Sequence, residues 1–529
     1  MNRRTLLRTG AAAGALATAG RLAAPAVAQA ARTLRFIPHS NLSTIDPVGT
    51  TGYIVRNHGY LVYDTLLATD AGYRIRPQMA EGWETSDDGR RWTFRLREGL
   101  RFHDNEPVRA ADCVPSIRRW GARDAFGQTL MAAVDEMRVL DDRRFEIRLK
   151  RPFPLLPDAI GKISSQVCFI MPERHASMDP NTPVPEAIGS GPFRFLRDQW
   201  VPGSQAVYER FAGYVPRTEP PSWAAGGKRA NVDRVEWKII PDAATAAAAL
   251  QTAEVDWWEQ PTFDLLPLLE RNREIRIEQI DPVGQILMLR FNHLHPPFNN
   301  VKIRQAVMVA VGQEDYLQAV VGNPKYMRAC KSYFTCGTPL ANDAGTEVMT
   351  GDLDRAKRLL AEAGYNNEPV VIISPSDYPT IHAQGLVTAD LLRRLGMNVE
   401  FVATDWGTVL SRRASRNPIG QGGWNIFHTW WVGPDLANPA LHAPLRTHGA
   451  GAWPGWPTDE RIEALRVEYL EARDLEAQKR VAVEIQKRAF EVVPYVTLGQ
   501  MWLPMAFRRY VQDIVAAPIP FFWGVKRAA

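Results

Sequence analysis

The residues best suited to hold a solute lie in one run, His428-Thr429-Trp430-Trp431-Val432-Gly433-Pro434-Asp435-Leu436-Ala437-Asn438-Pro439. It follows the strand-like segment Trp424-Asn425-Ile426-Phe427. Neighbouring side chains on a strand face opposite ways, so of two adjacent tryptophans one can pack inward and the other can offer a flat face and an N–H donor to a bound molecule. Asp435 is placed to accept hydrogen bonds from a cationic group, and Asn438 to cap the following turn or meet the ligand. His428 is a candidate axial group for a metal chelate or haem. A second group, Asp377 and Tyr378, follows the apolar run Val370-Val371-Ile372-Ile373. Such a run reads as a strand buried on both faces, and ligands of parallel α/β sheets bind beyond the carboxyl ends of their strands.

Catalytic chemistry finds no comparable constellation. There is no HExxH, no Walker A loop and no Cys/His cluster with metal spacing. Ser190 sits in Gly189-Ser190-Gly191, but Ile188 stands where a nucleophile elbow needs glycine. His103-Asp104 reads as structural. No enzyme activity, resident metal or cofactor is expected.

The 529 residues carry 63 Lys+Arg against 58 Asp+Glu. Four of the arginines, Arg3, Arg4, Arg8 and Arg21, fall in residues 1–30, which read as an export signal. Asn2-Arg3-Arg4-Thr5-Leu6-Leu7-Arg8 has twin-arginine form, and cleavage is expected near Ala28 or Ala30. The remainder holds 59 basic and 58 acidic residues, without the clustered charge that a nucleic-acid surface requires. Beyond the signal no run is apolar enough to span a bilayer, and no cysteine lies at the cleavage region for lipid attachment. The expectation is a periplasmic monomer with no direct membrane anchor. In that oxidising compartment Cys330 and Cys336, with five residues between them, are expected to pair, whereas Cys113 and Cys168 read as buried thiols.

The elements that must position these groups come in two sets. Trp92, Phe94 and Leu96 alternate along one strand, Phe145–Leu149 forms another, and Asp242 caps an Ala-rich helix. The stretch Leu287–Val311 starts as an alternating strand, breaks at Pro296-Pro297, and resumes as a helix capped by Asn299-Asn300. Beyond it, the helix 353–363, the strand 370–373, the helix 381–395 and the strand 398–402 follow in an order that argues for a parallel sheet.

Several of these stretches, in order, resemble the family 5 extracytoplasmic solute-binding proteins of ABC importers, the dipeptide, oligopeptide and nickel group. The carriers are Phe291-Asn292 with Pro297-Phe298-Asn299 and Ile303-Arg304-Gln305-Ala306, Trp92-Thr93-Phe94-Arg95-Leu96-Arg97-Glu98-Gly99, Phe102-His103-Asp104, Gly191-Pro192-Phe193 and the run Trp431–Asn438. The resemblance implies an α/β fold of periplasmic-binding-protein type II, with two lobes joined by two hinge crossover strands and an extra subdomain in the first lobe. Implied boundaries are 31–286 for the first lobe, with the subdomain at about 71–184, 287–497 for the second, and 498–529 for the return. It also implies that the helix-like stretch 53–66 lines the cleft, with Tyr53 and His58 as candidate ligand contacts, and that a peptide or peptide-like small molecule is captured between closing lobes and delivered to permease subunits driven by ATPases. The family's dipeptide binders place an arginine after the 370–373 strand to hold the ligand carboxylate; Ser376-Asp377-Tyr378 stand there instead, so an aromatic or cationic solute is favoured. A metal-chelate or haem receptor of the same fold, and more remotely a periplasmic hydrolase, remain as alternatives.

Overall fold

The computed structural model describes residues 32–472 and 474–528; the expected export signal lies outside them. Two large sheets organise the chain. The first has seven strands in the order Phe193–Phe195, Gln205–Arg210, Arg234–Lys238, Thr33–Ile37, Trp257–Trp258, Met505–Arg508 and Ile275–Glu278. The second has six, in the order Met327–Arg328, Tyr495–Met501, Gln285–Phe291, Ile426–Val432, Pro369–Pro375 and Asn398–Thr404. A separate four-stranded antiparallel sheet, Ala80–Thr85, Arg91–Leu96, Arg144–Leu149 and Val134–Val139, is packed by the helix Ala110–Arg123.

The chain passes between the large sheets twice, side by side. Ile275–Glu278 leads through residues 279–284 into Gln285–Phe291; Tyr495–Met501 leads through 502–504 into Met505–Arg508. Ile275–Glu278 pairs with Met505–Arg508 in the first sheet, and Gln285–Phe291 pairs with Tyr495–Met501 in the second. This is the two-lobed, two-crossover α/β arrangement that the resemblance implied.

Local chemistry accounts for the elements. Asn300 accepts from Lys302 N to start the helix Val301–Ala310, and Asp352 and Asp242 accept from Arg355 N and Thr245 N to start two others. Pro369–Pro375 and Asn398–Thr404 run parallel, with the helix Pro379–Arg394 between them in sequence.

Two expectations need correcting. The helix at Tyr53 ends at Val62, and Asp64-Thr65 pairs instead as a short strand with Phe169-Ile170. The crossing strand Gln285–Phe291 is buried along all seven residues rather than on alternate ones, because it is central in its sheet. Burial there includes Arg290, whose guanidinium is saturated by the carbonyls of Pro444, Trp453, Pro454 and Pro494. A buried polar group is tolerable when its hydrogen bonds are made. Cys330 and Cys336 form a disulfide with Cα atoms 5.9 Å apart, and Cys113 and Cys168 are buried free thiols.

Candidate ligand site between the lobes

The strand Ile426–Val432 runs out at Gly433, next to the first crossover. Gly433 N donates to Gly284 O at 2.7 Å, and a Cβ at 433 would lie 2.3 Å from Val283 Cγ1. Only glycine lets the strand end come this close to the hinge. The short turn Gly433–Leu436 then delivers Asp435 to the seam between the lobes.

Tyr53, first residue of the helix Tyr53–Val62, meets it from the other lobe. Its hydroxyl donates to Asp435 Oδ2 at 2.9 Å and accepts from Val432 N at 2.9 Å. Its ring stacks on Trp430 with centroids 5.2 Å apart and meets Trp431 edge-on at 6.2 Å. The Arg56 guanidinium lies 4.2 Å from the Tyr53 ring centroid and donates to Ser164 Oγ and Asn57 Oδ1. Burial pushes the Asp435 carboxyl up to about 6, against the pull of Lys162 and Arg56. The partner of Asp435 in this closed arrangement is therefore the chain's own tyrosine.

Three hollows flank the seam. The smallest, about 20 Å³ between His39, Tyr53, Arg56, Glu259 and Trp430, has room for about one water. The second, about 280 Å³, lies between Ile37–Asn41, Trp258 and Gln260–Thr262 of one lobe and Asp377–Thr380 and Asp405–Gly407 of the other. Tyr378 spans it, donating to Gln260 Oε1 at 3.3 Å. Asp377 borders it, with Oδ1 accepting from Trp406 N. Burial raises the Asp377 carboxyl, and nearby Asp405 adds to the rise. The third, about 710 Å³, opens beside Thr50-Thr51, Asp124, Arg413, Arg446 and Trp453.

Tyr53, Trp430, Tyr378 and Asp377 thus gather around the seam and its hollows, with Asp435 and Trp431 against Tyr53. The other candidates do not. His428 is buried in the second lobe with Nε2 2.7 Å from Thr388 Oγ1, and burial takes its pKa down to about 3. His58 is buried in the first lobe with Nδ1 3.0 Å from Tyr208 OH. Asn438 caps a turn, accepting from Ala440 N and Leu441 N. His103 faces Gly191 O while Asp104 pairs with Arg174, so the two share no ligand position. Among the described residues no group of three or more His, Cys, Asp or Glu could hold a metal.

Sequence reasoning missed His39, Glu259, Arg56 and Arg413. His39 Nδ1 and Glu259 Oε2 pair at 2.8 Å, 220 residues apart in sequence, so no local pattern could announce them. Arg56 was in view, but a charged residue on a helix ordinarily reads as solvent-facing; here the whole helix is buried.

Two lobes on paired crossovers, with aromatic and charged side chains from both facing one seam, define a binding protein that closes around a solute. Residues 74–452 match the family model for bacterial extracellular solute-binding proteins, family 5, and the chain belongs to that family. The probable peptide ABC transporter periplasmic-binding protein y4tO of Sinorhizobium fredii is 40% identical over 533 residues, covering 100% of each chain. Among solved structures, AgaA from A. tumefacien R10 in complex with agropinic acid is similar at 21% identity and a TM-score of 0.79, covering 94% of this chain and 99% of that one. The dipeptide-binding protein of Pseudoalteromonas sp. SM9913 in complex with Met-Leu is similar at 20% identity and a TM-score of 0.77, covering 93% and 98%.

Proposed function

We propose that this chain is the periplasmic solute-binding component of an ABC importer, taking a peptide or peptide-like solute at the seam around Trp430, Tyr53, Tyr378 and Asp377. The observation that carries the reading is Tyr53 of one lobe bonded to Asp435 and Val432 of the other: the site is complete only when the lobes meet. A solute that touches both lobes favours the closed form by its differential affinity for it. Bending is assigned to residues 279–284 and 502–504. The chain works as a monomer, is exported through its twin-arginine signal, releases its solute unchanged, and is read in its closed form by permease subunits. The peptide assignment draws on the relative that matches end to end at 40% identity. The haem or metal-chelate alternative has little support, because His428 is enclosed by its own lobe.

Native mass spectrometry of protein purified from its periplasm identifies the solute, and the same peptides are re-weighed after incubation for cleavage. Recovery of intact peptides, with a melting rise equivalent to about 2.7 kcal/mol at a hundred times Kd, is the expected result. Cleaved peptides would make the chain a hydrolase, and a non-peptide solute would refute the peptide assignment.

A further inference from the structure

Arg413, just past the helix Trp406–Arg412, is only 4% exposed, yet no carboxylate lies within ion-pairing distance among the described residues. Its guanidinium is boxed by the rings of Trp406, Phe427 and Trp453 at 5.5, 5.3 and 5.2 Å. Among the described residues its guanidinium makes one hydrogen bond, from Nη2 to Thr51 Oγ1 of the other lobe, an oxygen that also accepts from Trp453 Nε1. Nε and Nη1 have no protein acceptor among the described residues, and the side chain borders the 710 Å³ hollow. Other buried arginines make most of their bonds or hold an acid, although Arg119 Nε and Arg466 Nη2 also lack a partner. Arg290 donates to four carbonyls, Arg304 to those of Phe298 and Val492, and Arg119 to Asp46 and three carbonyls.

The surroundings do not supply the missing anion. Asp46 and Asp124, the acids of this hollow, are already bound to Arg119 and Lys162. Arg123 and Arg416, which also border it, donate to Asn181 Oδ1, Gly49 O and Ala450 O and to no acid. Arg416 is exposed and Arg123 half-buried, so solvent can serve both; Arg413 is buried, and a buried cation without counter-charge is costly unless something anionic meets it, for which its unbonded N–H groups suit a carboxylate.

We propose that Arg413 receives a carboxylate of the solute, so that the larger hollow is the anionic-group end of the site and the solute bridges the lobes there. This rests on the solute-binding reading above and adds the class of ligand group and the residue that meets it.

Wild type, Arg413→Gln and Arg413→Lys are each exchanged against an equimolar pool of di-, tri- and tetrapeptides as free acids, and separately against the same pool as C-terminal amides. Native mass spectrometry reads what is retained, and melting of the unliganded proteins controls for folding. Wild type is expected to retain acids at least tenfold over amides, Arg413→Gln to erase that ratio, and Arg413→Lys to recover part of it. Equal retention of acids and amides by wild type, or an unchanged ratio in a folded Arg413→Gln, overturns the Arg413 assignment and leaves the peptide reading standing. Should Arg413→Gln melt far below wild type, the ratio on Arg413→Lys decides, and no change there overturns the proposal. If neither pool is retained, the peptide reading falls and the co-purified solute decides. An acidic solute lost from Arg413→Gln upholds the assignment; a solute without an acidic group, or none at all, overturns it.

Discussion

The two larger hollows adjoin at Gly407 and carry opposite charge. The smaller is bordered by Asp377 and Asp405, neither of which has an ion-pair partner among the described residues; both accept backbone N–H bonds instead. The larger is bordered by Arg413, Arg416 and Arg123, likewise without acidic partners, while its own acids are neutralised. One short helix, Trp406–Arg412, joins them, with Asp405 capping its start and Arg413 just past its end. Acid at the start and base at the end also suit the helix dipole, but that effect needs neither group to border a cavity. A solute with separated charges would use both hollows, and that contrast can be broken experimentally.

The largest effect separates charge that holds the fold from charge left open. Lys162 and Asp124 form a buried pair at 2.5 Å. Lys162→Met should cost about 3–5 kcal/mol by stranding Asp124, whereas Arg413→Met, which strands no acid and loses ring contacts and one hydrogen bond, should cost about 1–2 kcal/mol of unliganded stability. Denaturant melts of the two variants check this; equal losses would mean that Arg413 is structural.

Next comes pH. Asp435 titrates near 6 in the closed protein against 3.8 when solvated. Its folded pKa is raised, so its contribution to closure is fully present below about pH 4 and is lost as pH rises through 6. The difference is at most ~3 kcal/mol. Small-angle scattering of the unliganded protein should show the lobes opening between pH 4 and 7 in wild type and insensitive to pH in Asp435→Asn. A transition that survives in the variant would assign the proton elsewhere.

For the acidic hollow, Asp377→Asn should weaken a solute with a cationic group by about 1.5–3 kcal/mol, the range of hydrogen bonds to charged groups. Calorimetry with the co-purified solute reads it, and unchanged affinity would leave that hollow without a role. The smallest effect is Trp430→Ala, which removes the surface on which Tyr53 stacks. Beyond the loss of buried area it should cost roughly 0.5–1.5 kcal/mol of affinity. Wild-type affinity with a much lower melting temperature would make Trp430 a core residue only.

The fold was legible because its signals are local: caps at Asn300, Asp352 and Asp242, apolar runs of strand length, and motifs short enough to survive divergence. The site was legible only in part. Trp430, Tyr53, Asp377 and Tyr378 stand at strand or helix ends, where topology directs ligands. Arg413 went unread because its distinguishing property is the absence of a partner, which spacing does not encode. His428 misled because a histidine beside two tryptophans gives no sign of which lobe interior will enclose it. The arginine sought after Pro369–Pro375 is missing there, but Arg413 comes from the next strand–helix unit.

The paired crossovers set what kind of motion the molecule can make. Two ribbons, hydrogen-bonded to each other on both sides of the bend, act like a strap of finite width. Rotation across the strap is soft at the short segments 279–284 and 502–504, while twisting about its length would shear the ladders between 275–278 and 505–508 and between 285–291 and 495–501. Closing then explores essentially one angular coordinate. Every return of the lobes brings Tyr53 back to the same face of Trp430, and little configurational search remains once the solute is seated.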